Sequence, residues 1–145
     1  MHFHPLTIAN IAPETGDTVT IEFQIPDDLR EAFAYTQGQH VTIRQEIGGQ
    51  EIRRSYSMSS SPLEARFAVT VKKVEGGRMS CFLHDSVKRG DTLEVAPPDG
   101  RFFVKLDPDK RRTYYIFGAG SGITPLLSIL KTTLEAEPMS AIFLL

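Results

Sequence analysis

The chain carries a single cysteine, Cys81, among 145 residues. That scarcity excludes an internal disulfide framework and any iron–sulfur cluster held by four thiolates of this chain, and it fits a reducing compartment. No base partners Cys81 in the sequence, so it reads as a small buried hydrophobe in a helix after Gly77 and not as a nucleophile. Long apolar runs are missing too: no stretch approaches transmembrane length, and Met1 to Asn10 lacks the basic head and apolar core of a signal peptide, so the expectation is no membrane partner and a cytoplasmic address. Excess positive charge is also absent. Sixteen Lys and Arg against eighteen Asp and Glu give a net charge of −2, and the one basic block, Lys110-Arg111-Arg112, reads as a solvated loop. This balance, with no aromatic array at base-stacking spacing, argues against nucleic acid and against an oligonucleotide-binding barrel. His2, His4, His40 and His84 show no metal-ligand spacing beyond the terminal i, i+2 pair, and no metal site is expected.

What remains has the composition of an ordinary packed domain, long enough for one full core and a piece of a second. Leu6 to Ala12 and Thr18 to Ile25 alternate apolar and polar residues about a turn at Pro13 to Asp17. Gln39 to Ile47 and Gln50 to Ser60 flank Gly48-Gly49, and Arg66 to Val74 and Asp91 to Ala96 complete six short strands. Six strands with one helix, Met79 to Val87, predict a mainly β fold: a small six-stranded antiparallel barrel, residues 1–106, whose closure removes exposed edges and leaves an outer groove for a ligand.

The pattern changes after Pro97-Pro98-Asp99-Gly100 and Asp107-Pro108. Thr113 to Phe117 is a continuous apolar strand, Ile123 to Leu134 an apolar helix, and Ala141 to Leu145 a second strand. The link Gly118-Ala119-Gly120-Ser121-Gly122-Ile123-Thr124-Pro125 has the composition of the strand-to-helix turn of a nucleotide-binding βαβ unit, although a plain α/β link reads almost as well. One such unit cannot cover both faces of a parallel sheet. Residues 107–145 are therefore expected to be the start of a larger, truncated α/β domain that binds NAD(P), and the chain a fragment whose Phe143, Leu144 and Leu145 need shielding.

Two segments carry chemistry. In Arg54-Ser55-Tyr56-Ser57, strand alternation puts Arg54 and Tyr56 on one side, roughly 6.6 Å apart, with Ile52 and Met58. A stacking ring beside a planar cation suits a ligand with a flat apolar head and an anionic tail, as flavin nucleotides have. In Gly76-Gly77-Arg78-Met79-Ser80, a strand passes through a glycine turn into a helix start, where free amides and the helix dipole favour phosphate; Ser80 adds a hydroxyl and Arg78 a charge. Each segment alone also reads blandly, as an exposed sheet face and as a capped turn.

Together, Arg54-x-Tyr56-Ser57-x-x-Ser60, Val71-Lys72 leading to Gly77-Arg78-Met79-Ser80, and Gly118-x-Gly120-x-Gly122-x-Thr124-Pro125 resemble the ferredoxin–NADP⁺ reductase family over essentially the whole chain. Within that family the chain resembles in particular the reductase subunits of bacterial multicomponent oxygenases of the phenylacetyl-CoA monooxygenase (epoxidase) type. The resemblance implies that Arg54 binds flavin phosphate, with Ser55 beside it, that Tyr56 packs on the isoalloxazine ring and that Ser57 bonds near its hydride-accepting N5 atom. It implies that Val71, Lys72 and Lys73 border the ribityl or adenosine side and that Gly77, Arg78, Met79 and Ser80 hold the pyrophosphate of FAD, favoured over FMN. Gly118, Gly120 and Gly122 fall on the nicotinamide side, and Thr124, grouped with Ser57 as catalytic, falls where the two rings meet. One departure is Gln37-Gly38-Gln39 in place of the family's Pro-Gly-Gln, which bears on the rigidity of that turn.

The same resemblance implies an NAD(P)H-dependent flavoprotein reductase. A hydride from NAD(P)H passes to flavin N5, and single electrons then go to an iron–sulfur centre, a ferredoxin or an oxygenase component, with any 2Fe-2S cluster in a missing domain or a partner. The protein's share of such chemistry is binding, alignment and electrostatics, so the lack of a His/Asp or His/Cys constellation is expected. The alternative is a flavin-holding, partner-docking module without turnover of its own.

Overall fold

The structure, a computed structural model, describes residues 2–145. Alternating β-branched and polar residues produce the strands β1 (His4–Thr15), β2 (Thr18–Gln24), β3 (His40–Ile47), β4 (Gln50–Ser57), β5 (Phe67–Lys72) and β6 (Thr92–Val95), in one antiparallel sheet of order β4-β3-β6-β1-β2-β5. The two end strands meet where Met58, just past β4, bridges Val69 of β5, and the Ser59 amide donates to the Ala68 carbonyl at 2.9 Å. That contact closes the barrel and leaves few unpaired edge groups.

Period-two alternation turns one face of each strand inward. Leu6 and Ile8, Val19, Ile21 and Phe23, Val41 and Ile43, Phe67, Val69 and Val71, and Leu93 and Val95 fill the interior. The helix α1 (Arg78–Asp85) adds Met79 and Leu83, one turn apart and almost fully buried. Full burial of side chains of this size stabilises by about 1.5–3 kcal/mol each, so α1 is held by what it contributes to the barrel and its N-terminal turn is fixed in place. Cys81 lies on the other side of this short helix; it is partly exposed, where the sequence suggests burial, because the inward stripe belongs to residues 79 and 83.

The first turn is tighter than the sequence suggests. β1 runs on through Pro13, which sits at a register irregularity where its missing N–H is tolerated, and the chain reverses at Gly16-Asp17. The Asp17 carboxylate accepts hydrogen bonds from the Thr15 and Thr18 hydroxyls at 2.7 and 2.9 Å, which pins the shorter loop.

Residues 96–112 cross from the barrel as an irregular strap. The turn before β3 grips it: Gln37 Nε2 donates to the Val104 carbonyl at 2.9 Å and Gln39 Nε2 to that of Gly100 at 3.1 Å. Gly38, at φ +89°, lies so close that a Cβ would stand 1.9 Å from the Phe102 carbonyl oxygen. The glutamine in place of proline therefore supplies an extra tie to the strap.

Beyond it, β7 (Thr113–Ile116) and β8 (Ala141–Leu144) pair in parallel, with α2 (Ile123–Ala136) between them in sequence. A buried carboxylate organises this part. Glu137 accepts hydrogen bonds from the Asp107 amide at 3.0 Å, the Ser140 hydroxyl at 2.7 Å, the Tyr114 hydroxyl at 3.0 Å and the Arg112 guanidinium. Burial pushes its pKa up, but these donors outweigh it and hold the group at about 2. Tyr115 and Phe143 stack at 5.4 Å on the open face of the two-stranded sheet, and both are more than half exposed. No helix among the described residues is long and apolar enough to cross a membrane.

Candidate cofactor-binding cleft

Barrel closure, the α1 start and the α2 start converge on one cleft of about 950 Å³. Its walls are Arg54, Ser55, Tyr56 and Ser57 at the end of β4, Thr18 of β2, Thr70 and Lys72 of β5, and Val74, Gly76 and Gly77 leading to Arg78, Met79 and Ser80 of α1. From the other side come Gly120, Ser121, Ile123 and Thr124 at the head of α2. The volume lies in the range of cofactor and ligand sites.

The electrostatics are one-sided. Arg54, Lys72 and Arg78 line the cleft, and no carboxylate does. Neither α1 nor α2 has a side-chain N-cap or an acidic residue in its first turn, so the positive ends of two helix dipoles face the same space, with free amides at the α1 start; at α2 the Gly122 and Ile123 amides are taken up by the preceding turn and Pro125 has none. Arg54 is exposed; its guanidinium reaches only the carbonyl of Arg53, at 2.7 Å, and forms no ion pair among the described residues. Tyr56 is half-buried. Burial raises its pKa while the Arg54 charge opposes the rise, so at neutral pH it offers an uncharged ring.

The glycine turn is shaped for close approach. Gly76 has φ +72°, the left-handed region that favours glycine. A Cβ on Gly77 would stand 2.4 Å from the Ser80 oxygen and 3.0 Å from the Val74 carbonyl. The Ser80 hydroxyl accepts from the Val74 amide at 3.1 Å and faces the Gly77 carbonyl at 3.3 Å, so it locks the turn as well as lining the cleft.

The structure thus gathers Arg54, Ser55, Tyr56, Ser57, Lys72, Gly77, Arg78, Met79, Ser80, Gly120 and Thr124 around one space. Others point elsewhere. Val71, 1% exposed, lies in the barrel interior and is not among the lining residues, and Met79, which does line the cleft, is itself 2% exposed and part of the core. The Lys73 ammonium pairs with Asp85 at 2.6 Å, away from the walls, and Gly118 and Gly122 are not among the lining residues. Arg78 directs its guanidinium to Gln50 Oε1, at 2.5 Å, and to the Ile47 carbonyl of the β3–β4 turn. Ser60 is 2% exposed and structural: its hydroxyl accepts from the Ala68 amide at 3.1 Å and lies 2.7 Å from that of Tyr35. Sequence reasoning passed over Thr18 and Thr70. Thr70 shares the face of Lys72 by alternation, which is a local signal, whereas Thr18 stands opposite Lys72 only through the long-range β2–β5 register, which no local pattern carries. Among the described residues no group of three or more His, Cys, Asp or Glu could hold a metal ion.

Residues 5–104 match the oxidoreductase FAD-binding domain, and the chain belongs to that family. Within it, the chain is 44% identical over 138 residues to one of the subunits of the 1,2-phenylacetyl-CoA epoxidase of Escherichia coli (strain K12), covering 95% of this chain and 39% of that protein. It is 46% identical over 134 residues to the ferredoxin reductase component of the 3-ketosteroid-9-alpha-monooxygenase of Rhodococcus rhodochrous, covering 89% and 36%. The chain thus spans less than two fifths of the length of these relatives. Phthalate dioxygenase reductase has the same architecture, with a TM-score of 0.75 and 28% identity over 98% of this chain and 42% of that one. A ferredoxin NADP+ reductase from Neisseria gonorrhoeae, solved with bound FAD and NADP, shares the fold with a TM-score of 0.77 at 21% identity, covering 99% and 57%.

Proposed function

We propose that the cleft holds FAD and that the protein containing this segment is an NAD(P)H-dependent flavoprotein reductase serving an oxygenase system. The observation that carries this is the joining of a half-buried phenol, three cations without a carboxylate and two helix starts without side-chain caps in one cleft. Arg54 meets phosphate with its free guanidinium, Ser55 flanks it, and Tyr56 offers its ring to the isoalloxazine. Ser57 donates near N5. The main chain of Gly77 to Ser80 cradles the pyrophosphate, which favours FAD over FMN, while Lys72, with Val71 and Lys73 beside it, borders the ribityl or adenosine side. Gly118, Gly120, Gly122 and Thr124 form the nicotinamide side. Residues 1–106 act as the flavin unit and 107–145 as the start of the NAD(P) unit, in a cytoplasmic protein.

Bound FAD would supply the conversion of a two-electron donation by NAD(P)H into single electrons for an iron–sulfur centre, a ferredoxin or an oxygenase component. The chain's own residues bind, orient and balance charge; none is a proton-transfer pair. An absorbance scan of purified protein with mass analysis of the released chromophore tests the reading: a yellow protein releasing FAD is expected, and colourless protein that refuses both FAD and FMN overturns it. The open face of β7–β8 at Tyr115 and Phe143 favours a second reading, a flavin-holding and partner-docking module. Stopped-flow mixing with NADH and NADPH separates the two, since rapid bleaching of the flavin belongs only to the reductase.

A further inference from the structure

Four buried serine and threonine residues join the barrel to α2. Ser60 and Ser61, just beyond the end of β4, are 2% and 1% exposed; Ser128 and Thr132, one helical turn apart on α2, are 0% and 3% exposed. Ser128 Oγ donates to the Ser60 carbonyl at 2.6 Å, and Thr132 Oγ1 donates to the Ser128 carbonyl at 2.6 Å. A hydroxyl has one proton. With Thr132's committed, the 2.8 Å contact between Ser61 and Thr132 has a fixed direction, Ser61 donating. Ser61 Oγ also accepts from the Leu63 amide at 3.2 Å. At the rim, Lys131 pairs with Glu64 at 3.1 Å. The seam is therefore an ordered chain of bonds with a single arrangement.

Such a seam adds little net stability, since each bond made replaces one to water, but an orphaned buried group costs more than the bond gained. It therefore acts on register more than on strength. A slip of α2 by one residue would rotate it by roughly 100° and shift it about 1.5 Å, leaving the Ser60 carbonyl and the Ser61 hydroxyl unpaired. Both sides of the seam run directly into the cleft. Ser57 precedes Ser60 in the same segment, and Thr124 precedes Ser128 by one helical turn, about 6 Å along the axis; Ser57 and Thr124 both line the cleft.

We propose that the Ser60–Ser61/Ser128–Thr132 seam is a positioning device that sets the spacing between the flavin-contact end of β4 and the nicotinamide-side start of α2. It rests on the reductase reading above. There, bound FAD would supply the acceptor for a hydride given up by the reduced nicotinamide, one ring being oxidised as the other is reduced, and Ser57 and Thr124 would hold the two rings in place. Reacting atoms must come within about 3–3.5 Å, and a misplacement of 1 Å costs on the order of 100-fold in rate. The four seam residues do not line the cleft and act through Ser57 and Thr124, which do.

The test compares Ser128→Ala and Thr132→Val, which delete a hydroxyl, with Thr132→Ser, which retains it. In the chain without cofactor, amide exchange followed by mass spectrometry is expected to speed up at least about tenfold in α2 for the deletions, with the barrel strands unchanged. In the FAD-loaded protein of full length, flavin reduction at saturating donor falls about tenfold or more, while flavin affinity and donor half-saturation hold and Thr132→Ser restores the rate. Reduction within twofold of wild type in both deletions overturns the proposal, as does a fall that Thr132→Ser reproduces. Should Thr132→Val fail to fold, Ser128→Ala decides by the same criteria. A wild-type protein that binds flavin but is not reduced by either nicotinamide overturns the reductase reading, and the positioning role with it; a wild type reduced as fast as its variants overturns the seam alone.

Discussion

Replacing Arg54 by alanine isolates the anion half of the cleft. Its guanidinium makes no ion pair among the described residues and only one hydrogen bond, to the neighbouring Arg53 carbonyl, so the folded chain loses almost nothing when it is removed, and thermal unfolding should stay within a degree or two. Ligand affinity should respond. A charge-assisted hydrogen bond is worth about 1.5–3 kcal/mol, and because Arg54 is exposed to solvent the lower part of that range applies. About 1.5–2 kcal/mol corresponds to a 10- to 30-fold weaker FAD dissociation constant. Fluorescence titration of stripped protein with FAD measures it. Riboflavin, which has the ring but no phosphate, supplies the control: its affinity should be the same in wild type and Arg54→Ala. Arg54→Lys, with the charge but not the planar fork, should fall between. FAD affinity unchanged within twofold refutes the argument, and an equal loss for FAD and riboflavin shows that Arg54 acts on something other than phosphate.

Gly77→Ala drives a Cβ to 2.4 Å from the Ser80 oxygen and 3.0 Å from the Val74 carbonyl. The α1 start must shift, with about 1–3 kcal/mol lost from stability in calorimetry and a steeper loss of FAD than of riboflavin in titration. The Glu137 carboxyl, held at about 2 in the folded chain against an ordinary 4.5, binds protons more readily when unfolded. Its contribution is complete above about pH 4.5 and disappears as pH falls toward about 2. Near-ultraviolet circular dichroism of the tyrosines should show that window, and Glu137→Gln, destabilised at neutral pH, should flatten it.

The strands were legible because their signal is local. Val19, Ile21 and Phe23, or Val69 and Val71, alternate with polar neighbours, and the order of six such runs about one short helix is enough to predict a barrel. The glycine turn was legible for the same reason, since Gly76 and Gly77 interrupt a β-branched run just where a helix pattern begins. Less of the cleft could be read. Thr18 enters it only through its pairing with Lys72 across the β2–β5 register, and Lys73, beside Lys72 in sequence, leaves it for Asp85. Whether a long cationic side chain faces a cleft or a neighbouring carboxylate depends on partners distant in the chain.

The sequence alone determined the period of each element, the places where glycine had to stand, and a segment in which a ring and a cation share one side of a strand, because these follow from backbone geometry over a few residues. Tertiary structure alone decided that Met58 would close the barrel on Val69, that no carboxylate would reach the cleft, and that Ser128 would meet Ser60. Those outcomes join residues far apart in the chain, and they are set by which buried polar groups find partners once the core has formed.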